Sequence, residues 1–194
     1  EITISEGIGL GFFDVYYAII QDFCPGPDLA CNIQTPINLP LFPMIIDYEN
    51  TGASGIGAGS VTDAEDAISQ STSDYGSLTN IVNIAGSTFI TIKDQLSEYP
   101  EGTFAGFDIE NLNIAGAELL NNLNITTYLD DDEQESISGT DLILGAPLLS
   151  TDGRHVLGFV TTQPFNTVRF TITQPVNTGL GTTRVYSAIF RQFC

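Results

Sequence analysis

Residues 155–173, HVLGFVTTQPFNTVRFTIT, carry the clearest structural signal in the chain. Branched and aromatic residues fill its two halves, 155–163 and 166–173, and such residues favour β-strands. Between the halves, Pro164 and Asn166 supply a turn signal, because proline interrupts strands and asparagine adapts to turns. The stretch therefore predicts two β-strands joined by a short connection.

The same alternation recurs along most of the chain. Further strands are predicted at 88–94, 103–110, 123–130, 133–138 and 184–193. Residues 44–61 predict one apolar strand followed by a glycine-rich loop. Only residues 62–78 have helical character, with Thr62 as a candidate cap and Glu65 three residues later, as in a capping box. Seven or eight strands at this spacing predict an all-β fold, an antiparallel β-sandwich or jelly roll with one short helical turn.

The charge of the chain excludes one class of partner. Its 194 residues include 24 acidic and five basic side chains, giving a formal net charge of −19. Such a surface repels phosphate backbones, so nucleic acid is not expected as a partner. Solubility outside a cell explains the charge, and a surface covered by divalent cations is the alternative. No apolar stretch reaches the roughly 18 residues of a membrane-spanning helix, so membrane insertion is not expected. The acidic surface favours an extracellular or cell-surface protein.

The chain contains an internal repeat. Residues 1–24, EITISEGIGLGFFDVYYAIIQDFC, match residues 169–194, RFTITQPVNTGLGTTRVYSAIFRQFC, at eleven of 24 positions with one two-residue insertion. Both copies alternate around a Gly-Leu-Gly turn, which predicts two strands joined by a short loop. We therefore expect residues 1–24 to be a β-hairpin that closes a preceding repeat of a longer chain. Residues 25–194 would then be one complete successor.

The chain has three cysteines, so one disulfide within the chain leaves one cysteine unpaired. The segment CPGPDLAC places Cys24 and Cys31 in a proline- and glycine-containing loop that can curl back on itself. A disulfide between them would stabilise the fold by about 2.5 kcal/mol in the chain-entropy model. Zinc would need further cysteine or histidine ligands, and the sequence has none nearby. Cys194 would then be the first cysteine of the next such loop.

The prolines predict how the modules are joined. Five prolines lie between residues 25 and 43, and proline disfavours both helices and central strands. We therefore expect a stiff, disulfide-stapled connector at residues 25–45 and a β-sandwich module at residues 46–194.

Two resemblances add to this interpretation. The segments DAISQSTSDYGSL (66–78) and FVTTQPFNTVRFTI (159–172) resemble the discoidin-like, galactose-binding-type jelly roll, although Ser69 and Gln70 stand where that family has Asp-Gly. The chain also looks like the repeat modules of giant cell-surface adhesins of gliding Bacteroidetes. That resemblance is carried by GTFAGFDIENLNIAG (102–116), LLNNLNITTYLDDDEQES (119–136), GRHVLGFVTTQPFNTVRFTI (153–172) and FCPGPDLACN (23–32). It implies export, surface attachment, gliding motility and contact with substrata or polysaccharide.

The sequence shows no enzyme signature. No serine or cysteine nucleophile has the G-x-S-x-G frame, and GIGAG is not followed by a phosphate-loop lysine. The single histidine, His155, begins a predicted strand after STDGR and is expected to be a surface residue at that turn, with a catalytic base or metal ligand as the alternative. We therefore expect a non-enzymatic protein.

Two acidic clusters give a calcium hypothesis, because calcium binds carboxylate and carbonyl oxygens. The favoured set surrounds the helical turn and consists of Asp63, Glu65, Asp66 and Asp74. The other, residues 130–133, is expected to be a solvated hairpin tip. Calcium is thus the one candidate cofactor.

Exposed aromatic rings give a sugar-binding hypothesis, because the apolar face of a sugar stacks on a flat ring. The candidates are Tyr48, Tyr75, Tyr99 and Tyr128, although most tyrosines on strands simply fill a sandwich edge. The leading expectation is a repeat module of an adhesin or extracellular filament, serving as a stalk beside neighbouring repeats or like subunits. The alternative is a carbohydrate-binding module of a secreted multidomain protein, and a third hypothesis is a self-assembling fibre completed by residues 1–24 of a neighbour.

Overall fold

The computed structural model describes residues 24–55, 59–80, 85–111, 120–145, 153–174 and 181–194. Residues 1–23, and with them the predicted hairpin of a preceding repeat, lie outside the described residues. Within the described ranges the chain forms thirteen β-strands and three short 3-10 turns.

The first seven strands are β1 (Thr35–Pro36), β2 (Met44–Ile46), β3 (Gly52–Gly55), β4 (Ser60–Thr62), β5 (Gly76–Thr79), β6 (Gly86–Asp94) and β7 (Thr103–Glu110). The others are β8 (Leu123–Leu129), β9 (Asp132–Ser138), β10 (Ile143–Gly145), β11 (Arg154–Val160), β12 (Thr167–Gln174) and β13 (Thr182–Gln192). The 3-10 turns are Tyr48–Asn50, Ala64–Ile68 and Gly139–Asp141.

These strands form two sheets. One has the order β10-β11-β7-β13-β5-β4, and β1 pairs with the far half of β13. The other has the order β2-β6-β12-β8-β9, and β3 pairs with β6. The pairs that these thirteen strands form are all antiparallel. The structure thus confirms the predicted all-β antiparallel sandwich of jelly-roll type.

The two predicted strands of residues 155–173 lie in opposite sheets. Strand β11 belongs to the first sheet and β12 to the second, so the connection between them crosses the sandwich. Phe165 in this connection is fully buried and exchanges two backbone hydrogen bonds with Tyr99, at 2.7 and 3.0 Å. Its ring packs edge-on against Phe190 of β13, with centroids 5.0 Å apart. Burial of these large rings closes one end of the core.

The predicted connector is part of the sandwich from Thr35 onward. Strand β1 pairs with β13, and Ile37 N–H donates to the Ala188 carbonyl at 2.9 Å. The side chains of Ile37 and Phe42 are 0% and 2% exposed. Prolines set the path of this segment, but the apolar residues between them provide the free energy of burial.

The helical signal produces less helix than its sequence suggests. Only Ala64–Ile68 are wound, as a 3-10 turn, and Ala67 and Ile68 are buried in the core. Thr62 belongs to β4, and the residue before the turn is Asp63 in left-handed geometry, with no side-chain hydrogen bond to the turn. The predicted Thr62 cap is therefore wrong, because β4 uses Thr62 to pair with Ser77 of β5.

The predicted Cys24–Cys31 disulfide is also wrong. Cys31 is bonded to Cys194, 163 residues away, with a Cα–Cα distance of 5.6 Å, and Cys24 is an exposed free thiol. The reason is the path of the last strand. Cys31 forms an isolated β-bridge with Gln192, and the Asn32 N–H donates to the Gln192 carbonyl at 2.8 Å. The end of β13 therefore brings Cys194 to the start of the module.

The disulfide bears on the compartment, because such bonds persist in oxidising surroundings. It supports a secreted or extracellular protein. Among the described residues, no helix has the length and hydropathy needed to cross a bilayer.

Candidate functional site

A pocket of about 350 Å³ opens where β5 begins, β7 ends and β13 begins. It is lined by Tyr75, Ser77, Glu110, Asn111, Thr182 and Arg184. Arg184 lies opposite Ser77 in one strand pair and opposite Glu110 in the other. Directly paired residues share a face of a sheet, so the register alone gathers these three side chains.

The alternation of the strands explains why this polar set faces away from the core. Ile109 and Val185 are fully buried between the sheets. Successive side chains on a strand point to opposite faces. Their neighbours Glu110 and Arg184 are therefore presented on the outer face of the first sheet.

A carboxylate held by two donors forms the centre of the pocket. Arg184 Nη1 donates to Glu110 Oε2 at 2.9 Å, and the Tyr186 hydroxyl donates to the same oxygen at 2.5 Å. The hydrogen bond from Tyr186, followed by that from Arg184, holds the pKa of Glu110 below its usual value. Glu110 is therefore a carboxylate at neutral pH, and Arg184 is its counter-charge.

An aromatic wall stands beside this pair. The Arg184 guanidinium carbon lies 4.5 Å from the centroid of the Tyr75 ring. The Tyr75 ring in turn meets Tyr186 edge-on, with centroids 5.4 Å apart. These contacts fix the orientation of Tyr75, so the pocket has a preformed aromatic side.

A second, buried ion pair supports the wall from below. Both nitrogens Nε and Nη2 of Arg154 donate to the Asp108 carboxylate, and its guanidinium carbon lies 3.6 Å from the centroid of the Tyr186 ring. Arg154 Nη1 also donates to the Thr72 carbonyl at 3.0 Å, which ties the loop before Tyr75 to the sheet. Burial raises the pKa of Asp108, and Arg154 opposes that rise. The pair thus positions both tyrosines of the site.

Ser77 and Thr182 add hydroxyl groups to the pocket lining, and Asn111 adds an amide. Asn111 Nδ2 donates to Thr183 Oγ1 at 2.6 Å, and Thr182 Oγ1 lies 3.0 Å from Thr79 Oγ1. The pocket therefore combines an aromatic ring, a carboxylate acceptor, a guanidinium donor, an amide and hydroxyls. This set suits recognition of a small polyhydroxylated molecule through hydrogen bonds.

A slightly larger cavity lies beside the disulfide. It measures about 390 Å³ and is bordered by residues 26–29, 97–100 and Gln192. Its charged members, Asp28 and Glu98, are both acidic, and the Tyr99 hydroxyl already donates to Asp94 at 2.8 Å. Since it lacks a cationic donor among its lining residues, we regard the Glu110 pocket as the better candidate site.

The four predicted aromatic candidates have different positions. Tyr75 lines the pocket, and Tyr99 is buried at 5% exposure in the core. Tyr48 is 58% exposed. Tyr128 is half-buried, with the Arg169 guanidinium 4.8 Å from its ring centroid. Sequence reasoning misses Glu110 and Arg184, because their only signal is a charged side chain at the end of a predicted strand.

The predicted calcium ligands lie around the 3-10 turn. Asp74 accepts hydrogen bonds from the Ser69 and Ser71 hydroxyls at 3.2 and 3.0 Å. The pKa of Asp66 is raised by burial and by the charges of Asp74, Asp63 and Glu65. The part of the chain that the structure describes contains no group of three His, Cys, Asp or Glu side chains placed to hold a metal. Calcium binding stays a prediction.

The second acidic cluster is the predicted hairpin tip. It joins β8 to β9, with Asp130 and Asp131 in left-handed geometry. Lys93 Nζ lies 2.7 Å from Asp131 Oδ1, and Asn166 Nδ2 donates to Asp130 Oδ1 at 2.9 Å. His155 lies at the start of β11, opposite Ile109, and is half-buried.

Comparisons with known proteins give matches among solved structures alone. No protein-family model and no curated protein matches the chain. The chain is similar to the family 32 carbohydrate-binding module of Clostridium perfringens NanJ solved with galactose, with a TM-score of 0.42, 11% identity, and coverage of 81% of this chain and 98% of that one. The chain is also similar to a family 32 module, CBM32-3, from a family 31 glycoside hydrolase of Clostridium perfringens. The TM-score is 0.37, the identity is 18%, and the match covers 73% of this chain and 91% of that one. A structure of two family 32 modules of Clostridium perfringens ZmpB, solved with GalNAc, is similar as well. Here the TM-score is 0.38, the identity is 12%, and the match covers 89% of this chain and 41% of that one. The fold assignment rests on the strand topology described above.

Proposed function

We propose that the chain is a non-catalytic, extracellular carbohydrate-binding module and that the Glu110 pocket is its binding site. The observation that carries this proposal is the convergence of Tyr75, Glu110, Asn111 and Arg184 on one cavity. Strands β7 and β13 and the residues next to β5 and β7 present these side chains, and a buried ion pair supports them.

The chemistry of the lining fits a neutral sugar. A sugar ring has an apolar C–H face and hydroxyl groups that both donate and accept hydrogen bonds. Tyr75 matches the first property, and Glu110 with Arg184 matches the second. Because this pair has no net charge and the whole chain carries −19, an anionic ligand is disfavoured.

The size of the pocket limits the ligand. Small-molecule sites span about 300–1,000 Å³, and this cavity lies at the lower end with about 350 Å³. One or two sugar units fit such a volume, so we expect the pocket to bind a chain end or a short branch.

The arrangement of carboxylates favours binding over hydrolysis. Glycosidases use two carboxylates that flank the bond to be cleaved. Of the described residues that line this pocket, Glu110 alone is a carboxylate, and its lowered pKa makes it a poor acid. Asp108, on the same strand, is 1% exposed and is occupied by Arg154.

A glycan array followed by calorimetric titration tests the proposal. Galactose and N-acetylgalactosamine, with which two of the similar structures were solved, are the first probes. We expect binding that Tyr75→Ala and Glu110→Gln each weaken at least about tenfold, a change of about 1.4 kcal/mol. Tyr48→Ala is the matched control, since Tyr48 is exposed and lies outside the pocket lining. A silent array, or binding that neither pocket variant alters, would contradict the proposal.

A second candidate function is that of a repeat module in a surface adhesin or filament, together with the sugar site or without it. The observation that favours it is the duplication of residues 169–194 in residues 1–24. The longer parent sequence tests it directly, because further copies at a spacing of about 170 residues are expected.

A further inference from the structure

We propose that Cys24 closes a second module of this kind, and that its disulfide partner is the cysteine of that module which corresponds to Cys31. This proposal rests on the repeat organisation given above as the second candidate function, and it is independent of the sugar site. The partner is thus another copy of the same sandwich.

The first support is the bond made by the equivalent cysteine. Cys24 ends the first copy of the repeat at the position where Cys194 ends the second. Cys194 is bonded to Cys31, at the beginning of the module that β13 completes. A cysteine that ends a copy of β13 therefore has its partner at the start of its own module.

The second support is the set of residues that the two copies share. Four residues of β13 have no solvent exposure: Val185, Ala188, Ile189 and Phe190. The first three are identical in the other copy, and isoleucine replaces Phe190 there. Apolar residues at these alternating and adjacent positions specify a strand that is enclosed by a sandwich. The duplicated sequence thus encodes the buried pattern of β13.

The third support is that this module already contains both strands. Hydrogen bonds join β13 to β7 along one edge and to β5 and β1 along the other. Strand β12 likewise lies between β6 and β8. Residues 167–174 and 182–192 thus occupy these two strand positions in the present module, and another module of the same kind provides the same two positions.

The fourth support is the state of the thiols. Cys31 is engaged by Cys194, and Cys24 is exposed and free. Closing the proposed bond removes two protons and two electrons from two thiols. Oxidised glutathione accepts these protons and electrons by thiol–disulfide exchange, because one glutathione disulfide becomes two glutathione thiols.

A fusion protein tests the proposal. Residues 25–168 are placed directly before the complete chain 1–194, so that residues 1–24 follow the upstream copy where residues 169–194 would stand. The protein is refolded with oxidised and reduced glutathione, alkylated, and mapped by mass spectrometry without reduction. We expect no alkylated cysteine and a peptide that links Cys24 to the upstream Cys31. Cys31→Ala in the upstream copy is the matched control, and it should restore one alkylated thiol at Cys24.

The outcomes separate this proposal from the repeat organisation. If both units fold but Cys24 is still alkylated, the proposed disulfide is wrong and the repeat organisation is not affected. If hydrogen exchange shows that the amides of the upstream unit are unprotected, that unit is unfolded. This result would overturn both the proposed disulfide and the repeat organisation. In the 194-residue chain itself, we expect one alkylated thiol, at Cys24, and a Cys24–Cys31 link found there would also overturn the proposal.

Discussion

Removal of the Cys31–Cys194 disulfide is expected to cause a large loss of stability. The bond closes a loop of 163 residues. In the chain-entropy model, a loop of this length restricts the unfolded chain by about 5 kcal/mol, against about 2.5 kcal/mol for a ring of about eight residues. The double variant Cys31→Ala/Cys194→Ala should therefore lose up to about 5 kcal/mol of unfolding free energy.

Urea unfolding measures this loss. With an m-value of about 2–2.5 kcal/mol/M, the midpoint should fall by about 2 M. The matched control is Cys24→Ala, which removes an exposed thiol and should leave the midpoint unchanged. A Cys24→Ala variant that loses about 2.5 kcal/mol, or a double variant that loses less than about 1 kcal/mol, would refute the long-range pairing.

Three further predictions concern the site and its support. Arg154→Met should destabilise the fold by about 3–5 kcal/mol, because it leaves buried Asp108 unpaired. The double variant Asp108→Leu/Arg154→Met should recover part of this loss in thermal melting, and equal melting temperatures of the single and the double variant would count against the argument. Sugar binding should be constant from pH 7 to 5, because the hydrogen bonds from Tyr186 and Arg184 hold the pKa of Glu110 below its usual value and keep it a carboxylate. Binding should be lost only in more acidic solution, as Glu110 is protonated, and a loss already at pH 6 in titrations would contradict this assignment. Millimolar calcium should raise the melting temperature if Asp63, Glu65, Asp66 and Asp74 bind it, and the shift should vanish in Asp66→Asn; no shift and no heat on titration would remove the calcium hypothesis.

Much of the sandwich follows from the sequence because its long strands are specified by their own side chains. The predicted strand at 103–110 is β7 with the same bounds, and 184–193 overlaps β13. For strand β3, by contrast, the sequence predicts a loop, because Gly52–Gly55 have no branched or aromatic side chain to signal a strand. It forms because the edge of β6 offers hydrogen-bonding partners, from Phe89 to Gly86. Such pairing depends on tertiary structure.

The site was harder to predict for the same reason. Tyr75 was a candidate from its residue type, but Glu110 and Arg184 are 74 residues apart and meet through the β7–β13 register. The disulfide shows a related limit. The short Cys24–Cys31 segment favours a local ring, whereas the course of β13 brings Cys194 to Cys31.

A crystal structure of the module with the strongest glycan from the array tests the central claim most directly. The account predicts a sugar ring in the Glu110 pocket, with its hydroxyls bonded to Glu110 and Arg184 and one side against Tyr75. Well-defined sugar density elsewhere on the module, with the Glu110 pocket holding only water, would contradict it.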